Sequence, residues 1–223
     1  MYSAPPTMTL TMEKTDWNSY YEKPFKTALI ARLYTTRVLL DFMERYGPKG
    51  KFSITEIGGA NSCFYLDIVK KFGPAKYIIV DNNQLGLDKF LERVGSSERV
   101  ETLNQDILAP RVTEETDLVF SVGLIEHFDT AGTREVVLNH LKYLKKPGIL
   151  ILSFPTPTLL YRFTRWGAEM LSMWKFPDER PLQISEVEDI VTGQGAILEK
   201  KILWPIFLTQ CMMVIAYPAR DSG

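Results

Sequence analysis

The chain has 223 residues, 45% of them apolar and 24% charged, with 26 basic against 27 acidic side chains and a formal net charge of -1. That length buries one sizeable core, and so even a charge balance gives no broad footprint for polyanions, which disfavours non-specific nucleic-acid binding. Apolar runs such as Cys211–Tyr217 stop well short of a bilayer-spanning length, so no transmembrane helix is expected.

The first stretch, MYSAPPTMTLTMEK, has neither the basic start nor the continuous apolar core of a secretory signal, and a loose terminus on a cytoplasmic protein is expected. From Trp17 to Tyr46 apolar residues recur at helical spacing, among them Leu29, Leu33, Val38, Leu39, Phe42 and Met43. Pro24 suits a helix start and Gly47-Pro48 a stop, so residues 13–47 read as a helical cap. Phe52–Ile57 then reads as a strand, Phe64–Phe72 as a helix ended by Gly73-Pro74, and Tyr77–Val80 as a strand covered on both faces. A helix over Leu85–Val94, strands over Val100–Leu103 and Asp117–Val122, a helix over Arg134–Leu144 and a strand over Ile149–Phe154 follow.

Such alternation argues for βαβ units with helices on both faces of a mostly parallel sheet. The last two strand-like runs, Ile197–Trp204 and Leu208–Tyr217, are separated only by Pro205-Ile206-Phe207, and so short a link means an antiparallel pair. The whole chain, 1–223, is expected to be one domain with its core over 52–218. Neither Cys63 nor Cys211 belongs to a metal-type cysteine pattern, and both read as buried small apolar residues in a reducing compartment.

The stretch Ile54–Phe64, ITEIGGANSCF, runs from a strand into a helix. Glycines let backbone approach a ligand there, and the helix offers free N–H groups. The dinucleotide spacing GxGxxG fails from either Gly58 or Gly59, and no GxxxxGK[ST] phosphate loop exists. Glu56, inside the strand end before the first glycine, is a poor neighbour for a pyrophosphate and a good one for an ammonium group. Asp81 closes the next strand at about the twenty-residue offset of a ribose-binding acid, and Asp106 follows the third strand where it can accept from an adenine amino group. Each acid alone also reads as a cap or a solvated side chain. Three at the carboxyl ends of successive strands point to a nucleoside.

Over roughly Phe52–Pro218 the chain resembles the class I S-adenosylmethionine-dependent methyltransferases of small-molecule type. Glu56-Ile-Gly-Gly-Ala-Asn61 is similar to the family's first motif, Asp81 to its ribose-binding acid, Asp106-Ile107 to its adenine-contacting pair and Asp117–His127 to its fourth motif. The resemblance implies an α/β fold, a doubly wound, seven-stranded, mostly parallel sheet with a C-terminal antiparallel hairpin in three layers. It also implies S-adenosyl-L-methionine as cofactor, held by Glu56, Gly58, Gly59, Ala60, Asp81, Asn82, Asp106, Ile107, Ser121 and Val122. The family's usual glycine series is reduced here to Gly58, Ala60 and Ser62.

His127, one of two histidines, is the catalytic base candidate, with orientation of its own loop as the alternative role. Glu126 and His127 have no acidic companion at Gly123 or Leu124, so no metal is expected. No Asn/Asp-Pro-Pro-Tyr motif and no placed cysteine nucleophile exist, which leaves a small-molecule oxygen or nitrogen as acceptor (a sugar, a lipid-linked or an aromatic compound) and no nucleic acid. Tyr20, Tyr21 and Trp166 are the substrate-side candidates. The inserted segment 157–181 carries Leu159, Phe163, Trp166, Met170 and Trp174 along one helical face, a stripe read first as core. If exposed beside Arg162, Arg165 and Lys175, it would suit a lid over an apolar substrate or peripheral membrane contact through 159–175. A non-catalytic methyltransferase-like subunit and a nucleotide-dependent oxidoreductase are the rival readings. The sequence does not determine an oligomeric state.

Overall fold

A computed structural model describes residues 14–22, 28–203 and 210–219. In chain order these form α1 (Trp17–Glu22), α2 (Ala28–Tyr46), β1 (Ser53–Ile57), α3 (Tyr65–Phe72), β2 (Lys76–Asp81), α4 (Gln84–Val94), β3 (Val100–Asn104), β4 (Thr116–Val122), α5 (Thr130–His140), β5 (Leu144–Pro155), α6 (Leu159–Met170), α7 (Ile184–Val191), β6 (Ala196–Ile202) and β7 (Gln210–Tyr217). The strands make one 7-stranded sheet in the order β3-β2-β1-β4-β5-β7-β6. Pairs from β3 to β5 are parallel, while β7 runs antiparallel to both β5 and β6.

Strand direction of growth reverses between β1 and β4, so the loops beyond their carboxyl ends diverge and leave a crevice there. The period-2 alternation of strand side chains divides the core into two layers. Tyr77 and Ile79 of β2 pack with Leu39, Phe42 and Met43 of α2 and with Phe90 of α4, whereas Ile78 and Val80 pack with Val136 and Val137 of α5 and with Val187 and Val191 of α7. All five residues of β1 are buried, as expected of a strand with neighbours on both edges and helices on both faces.

Most of the expected elements are present, and the differences have local causes. The helix expected over 134–144 starts earlier, because Asp129 accepts the Gly132 N–H at 2.7 Å and caps the first turn. Helix α7 was not read from the sequence, yet it buries Val187, Ile190 and Val191. Cys211 is buried as expected, but Cys63 is exposed, since it lies in the turn between β1 and α3 and not in either element. The helix start at Pro24 and the link Pro205–Phe207 lie outside the described residues. No helix among the described residues is long and apolar enough to cross a membrane.

Candidate active site

The turn after β1 is shaped by what surrounds it. Gly58 has φ +72°, its N–H donates to the Val80 carbonyl at 2.8 Å, and a Cβ there would lie 2.9 Å from Leu124 Cδ1. At Gly59 a Cβ would lie 2.5 Å from Cγ of Glu56. Ala60 is fully buried and donates its N–H to Asp81 Oδ2 at 3.0 Å, while Asp81 Oδ1 accepts the Asn83 N–H at 2.8 Å. Asp81 therefore ties the first strand-end loop to the second. Ser62 accepts the Phe64 and Tyr65 amides at 3.2 and 3.1 Å, so it serves the start of α3.

Glu56 is 2% exposed and accepts the Tyr77 hydroxyl at 2.6 Å. Burial pushes its carboxyl up to about 7, against the hydrogen bonds from Tyr77 and Ser62. Asp81 is likewise raised by burial, which outweighs the amides of Asn83, Ala60 and Asn82.

Helix α1 lies over these strand ends. A Cβ on Gly86 would fall 2.5 Å from Ala60 Cβ and 3.0 Å from the Tyr21 ring, which places Tyr21 against the loop. Burial and the nearby Asp81, Tyr20 and Glu56 raise the Tyr21 phenol above its ordinary range. Tyr20 instead accepts from Arg32 of α2 at 2.7 Å, and Asn18 accepts from Asn83 Nδ2 at 2.8 Å.

The other expected cofactor residues divide. Asn82 is exposed beside Asp81, and Asp106 is exposed and accepts the Leu108 N–H at 2.9 Å. Ile107 is buried, with its carbonyl held by Asn139 at 2.7 Å, and Val122 is half-buried at the end of β4. The Ser121 hydroxyl is buried and paired with Nε2 of the buried His140 at 2.9 Å, which turns it into the core. Burial holds His140 down at about 4, hence neutral.

A second cluster follows β4, in the 3-10 turn Ile125–His127. His127 Nδ1 lies 3.0 Å from Asp178 Oδ1, and its ring meets Trp17 and Phe176 edge to face at centroid distances of 5.0 and 6.0 Å. Asp178 also accepts from the Thr15 hydroxyl and, at 3.2 Å, from the Thr15 N–H. Burial alone would raise Asp178, but the bonds from His127 and Thr15 outweigh it and hold it at about 2. For His127 burial acts downward and Asp178, Glu126 and Glu179 act upward, with a net rise. Glu126 is 2% exposed, and its Oε2 has no hydrogen-bond partner among the described residues. Burial drives its carboxyl up to about 8. Glu179 accepts the Tyr161 hydroxyl, and the Arg180 N–H donates to the Glu126 carbonyl at 2.9 Å, fixing this loop against the turn.

Thr15, Phe176, Asp178 and Glu179 were not anticipated. The only signal was a charged run, Asp178-Glu179-Arg180, between Pro177 and Pro181, which reads as a solvated loop. The core expectation for the α6 stripe is overturned. Leu159 is 86%, Phe163 69%, Trp166 57% and Met170 67% exposed. The helix docks through a different face, on which Tyr161 is buried and Arg165 bonds the Glu179 carbonyl at 2.7 Å and lies 5.2 Å over Trp174. Trp174 lies beyond the helix end, and Trp166 is exposed, with its ring against Phe163.

No family model matches this sequence, and no curated protein matches it either. In structure it is similar to the N-methyltransferase NodS from Bradyrhizobium japonicum WM9 in complex with S-adenosyl-l-homocysteine, with a TM-score of 0.63 and 17% identity over 90% of this chain and 91% of that one. It is also similar to magnesium protoporphyrin IX methyltransferase (ChlM) from Synechocystis PCC 6803 with bound SAH, with a TM-score of 0.70 and 13% identity over 90% and 92% of the two chains. A third likeness is to an O-methyltransferase family protein from Burkholderia thailandensis, with a TM-score of 0.64 and 14% identity over 92% of this chain and 63% of that one. The chain has the class I S-adenosylmethionine-dependent methyltransferase fold.

Proposed function

We propose that this chain is an S-adenosyl-L-methionine-dependent methyltransferase acting in the cytoplasm on an oxygen or nitrogen of a small acceptor. The observation that carries the reading is Asp81, closing β2 beside the β1 turn and linked to Ala60 at 3.0 Å. A carboxylate has about four lone-pair sites. The Ala60 and Asn83 amides occupy two of them and the Asn82 amide draws on a third, so Asp81 keeps capacity for a ribose hydroxyl. Gly58 and Gly59, where a side chain would collide, leave backbone open to the methionine part, with Glu56 below it for the ammonium group. Asn82, Asp106, Ile107 and the backbone of Ser121 and Val122 complete the nucleoside side. The bound cofactor supplies a methyl group on an already activated sulfonium.

What the protein must add is alignment, exclusion of water and a place for the acceptor's proton. Trp17 and Phe176 pack on the His127 ring, with Tyr20 and Tyr21 packed in turn on Trp17, and Asp178 fixes the ring through Nδ1, leaving Nε2 to take that proton. NodS and the Burkholderia protein are named for N- and O-methylation respectively, and both acceptor atoms suit this arrangement. The exposed face of α6, with Trp166 and Phe163 and the exposed Arg162 and Lys175, favours an acceptor with an apolar or lipid-linked part, met at a membrane surface.

Calorimetry with S-adenosylmethionine, S-adenosylhomocysteine and NAD tests the reading. Binding of the two sulfur nucleosides, lost in Asp81→Ala, is the expected result. Binding of NAD alone, or of none of the three, would overturn it.

A further inference from the structure

We infer that Glu126, His127 and Glu179 form a site for one divalent first-row transition-metal ion. One oxygen from each carboxylate and one ring nitrogen all lie within 4.8 Å of one another. Three ligands about 2.1 Å from one ion lie about 3.4–3.6 Å apart, so inward shifts of at most about 0.8 Å close these three atoms on one ion.

An acidic cluster alone does not make a site, but two further features point to a cation. The first is Glu126, whose Oε2 is buried at a residue exposure of 2% with no hydrogen-bond partner among the described residues. A carboxylate oxygen desolvated without a partner carries a large penalty, which a bound cation removes. The second is the bond from His127 Nδ1 to Asp178 at 3.0 Å. A carboxylate on one ring nitrogen fixes the tautomer and orientation that leave the other, Nε2, as a lone-pair donor, the usual arrangement around a metal-bound histidine.

Two carboxylates and a neutral imidazole balance a doubly charged ion, and the mixture of nitrogen and oxygen donors suits Mn2+, Co2+ or Zn2+ better than Ca2+. In the sequence Glu126 and His127 stand side by side, but Gly123 and Leu124 upstream supply no acid, which is why no metal is expected from sequence alone. The third ligand comes from the loop after α6, held in place by Arg180 N–H to the Glu126 carbonyl at 2.9 Å and by Tyr161 to Glu179. The site requires no methyl donor and no acceptor, and because an ion held there would occupy Nε2, the proton-accepting role proposed for His127 belongs to the metal-free chain.

The test uses the full chain, freed of metal by a chelator and assayed without cofactor. Titration with Mn2+ is read by loss of the free-ion paramagnetic resonance signal, and with Co2+ by visible absorption. One equivalent is expected to bind. Glu126→Gln and Glu179→Gln should each weaken binding at least tenfold, and Asp178→Asn about 10- to 100-fold by loosening the ring. Glu135→Gln, an exposed acid on α5, should leave it unchanged. Circular dichroism checks each fold. Should Glu126→Gln fail to fold, Glu126→Asp and His127→Gln carry the same expectation. No saturable binding up to millimolar metal, or binding that ignores these substitutions, would overturn the site.

Discussion

The Asp81 carboxylate accepts the Ala60 N–H at 3.0 Å, so the acid proposed to hold the ribose is also a structural strut between two strand-end loops. This double duty separates two variants. Asp81→Ala leaves the Ala60 and Asn83 amides unpaired and is expected to cost about 1–3 kcal/mol of stability together with S-adenosylhomocysteine binding. Asp81→Asn keeps one acceptor oxygen, so it should recover part of the stability while binding stays weak. Denaturant titration and calorimetry on the pair check this, and equal losses in both measurements for both variants would contradict it.

Gly59 is fixed by Glu56 and not by its own backbone angle. A Cβ there would sit 2.5 Å from Glu56 Cγ and 2.6 Å from Cδ, and Glu56 is too buried to swing aside. Gly59→Ala is expected to cost about 1–3 kcal/mol through overpacking. In Glu56→Ala the colliding atoms are gone, so adding Gly59→Ala should cost much less. A double-mutant cycle with a coupling of about 1 kcal/mol or more is the expected outcome, and strict additivity would show that the clash relaxes elsewhere.

Glu56 also sets a pH dependence. Its folded pKa of about 7 lies above the unfolded value of 4.5, so the protonated form is favoured by folding. The associated stability is fully present below about pH 4.5 and is lost as pH rises through 7, by about 3 kcal/mol at most. His140 acts from the other side. Its folded pKa of about 4 lies below 6.5, so stability falls as pH drops from 6.5 toward 4. Glu56→Gln keeps a partner for the Tyr77 hydroxyl and removes the first slope alone. Unfolding free energies of wild type and Glu56→Gln should therefore diverge above pH 5, the variant becoming relatively more stable by pH 8, and parallel curves would refute the assignment.

The parts of the fold legible in sequence are those set by local pattern. Continuous apolar runs such as Tyr77–Val80 marked central strands, and the short link before Leu208 marked the antiparallel end. The acids Glu56, Asp81 and Asp106 were found because each lies at or just past the carboxyl end of a strand, and a parallel sheet places all such ends on one side. What escaped was set by tertiary contact. Asp178 and Glu179 reach His127 and Glu126 from a proline-flanked loop with no period to read, and Ser121 is diverted by His140 from the next helix. The α6 stripe misled for a related reason. A pattern shows which residues share a face, but not whether anything covers it.

That uncovered face gives the last expectation. Phe163 and Trp166, 69% and 57% exposed with ring centroids 6.1 Å apart, stand with Leu159 and Met170 on the outer side of α6. Substitution of exposed side chains changes stability by about 0.5 kcal/mol or less, so Phe163→Glu with Trp166→Glu should leave the melting temperature nearly unchanged. If the face meets a membrane, the same double variant should lose most co-sedimentation with vesicles containing anionic lipid, through both lost apolar contact and added repulsion. Arg162→Glu should weaken it further and lower the loss of binding caused by added salt, whereas Arg165 is committed to Glu169 and the Glu179 carbonyl and would act through folding instead. Vesicle binding that is absent in wild type, or equal in all variants, would leave the acceptor's own apolar part as what this face covers.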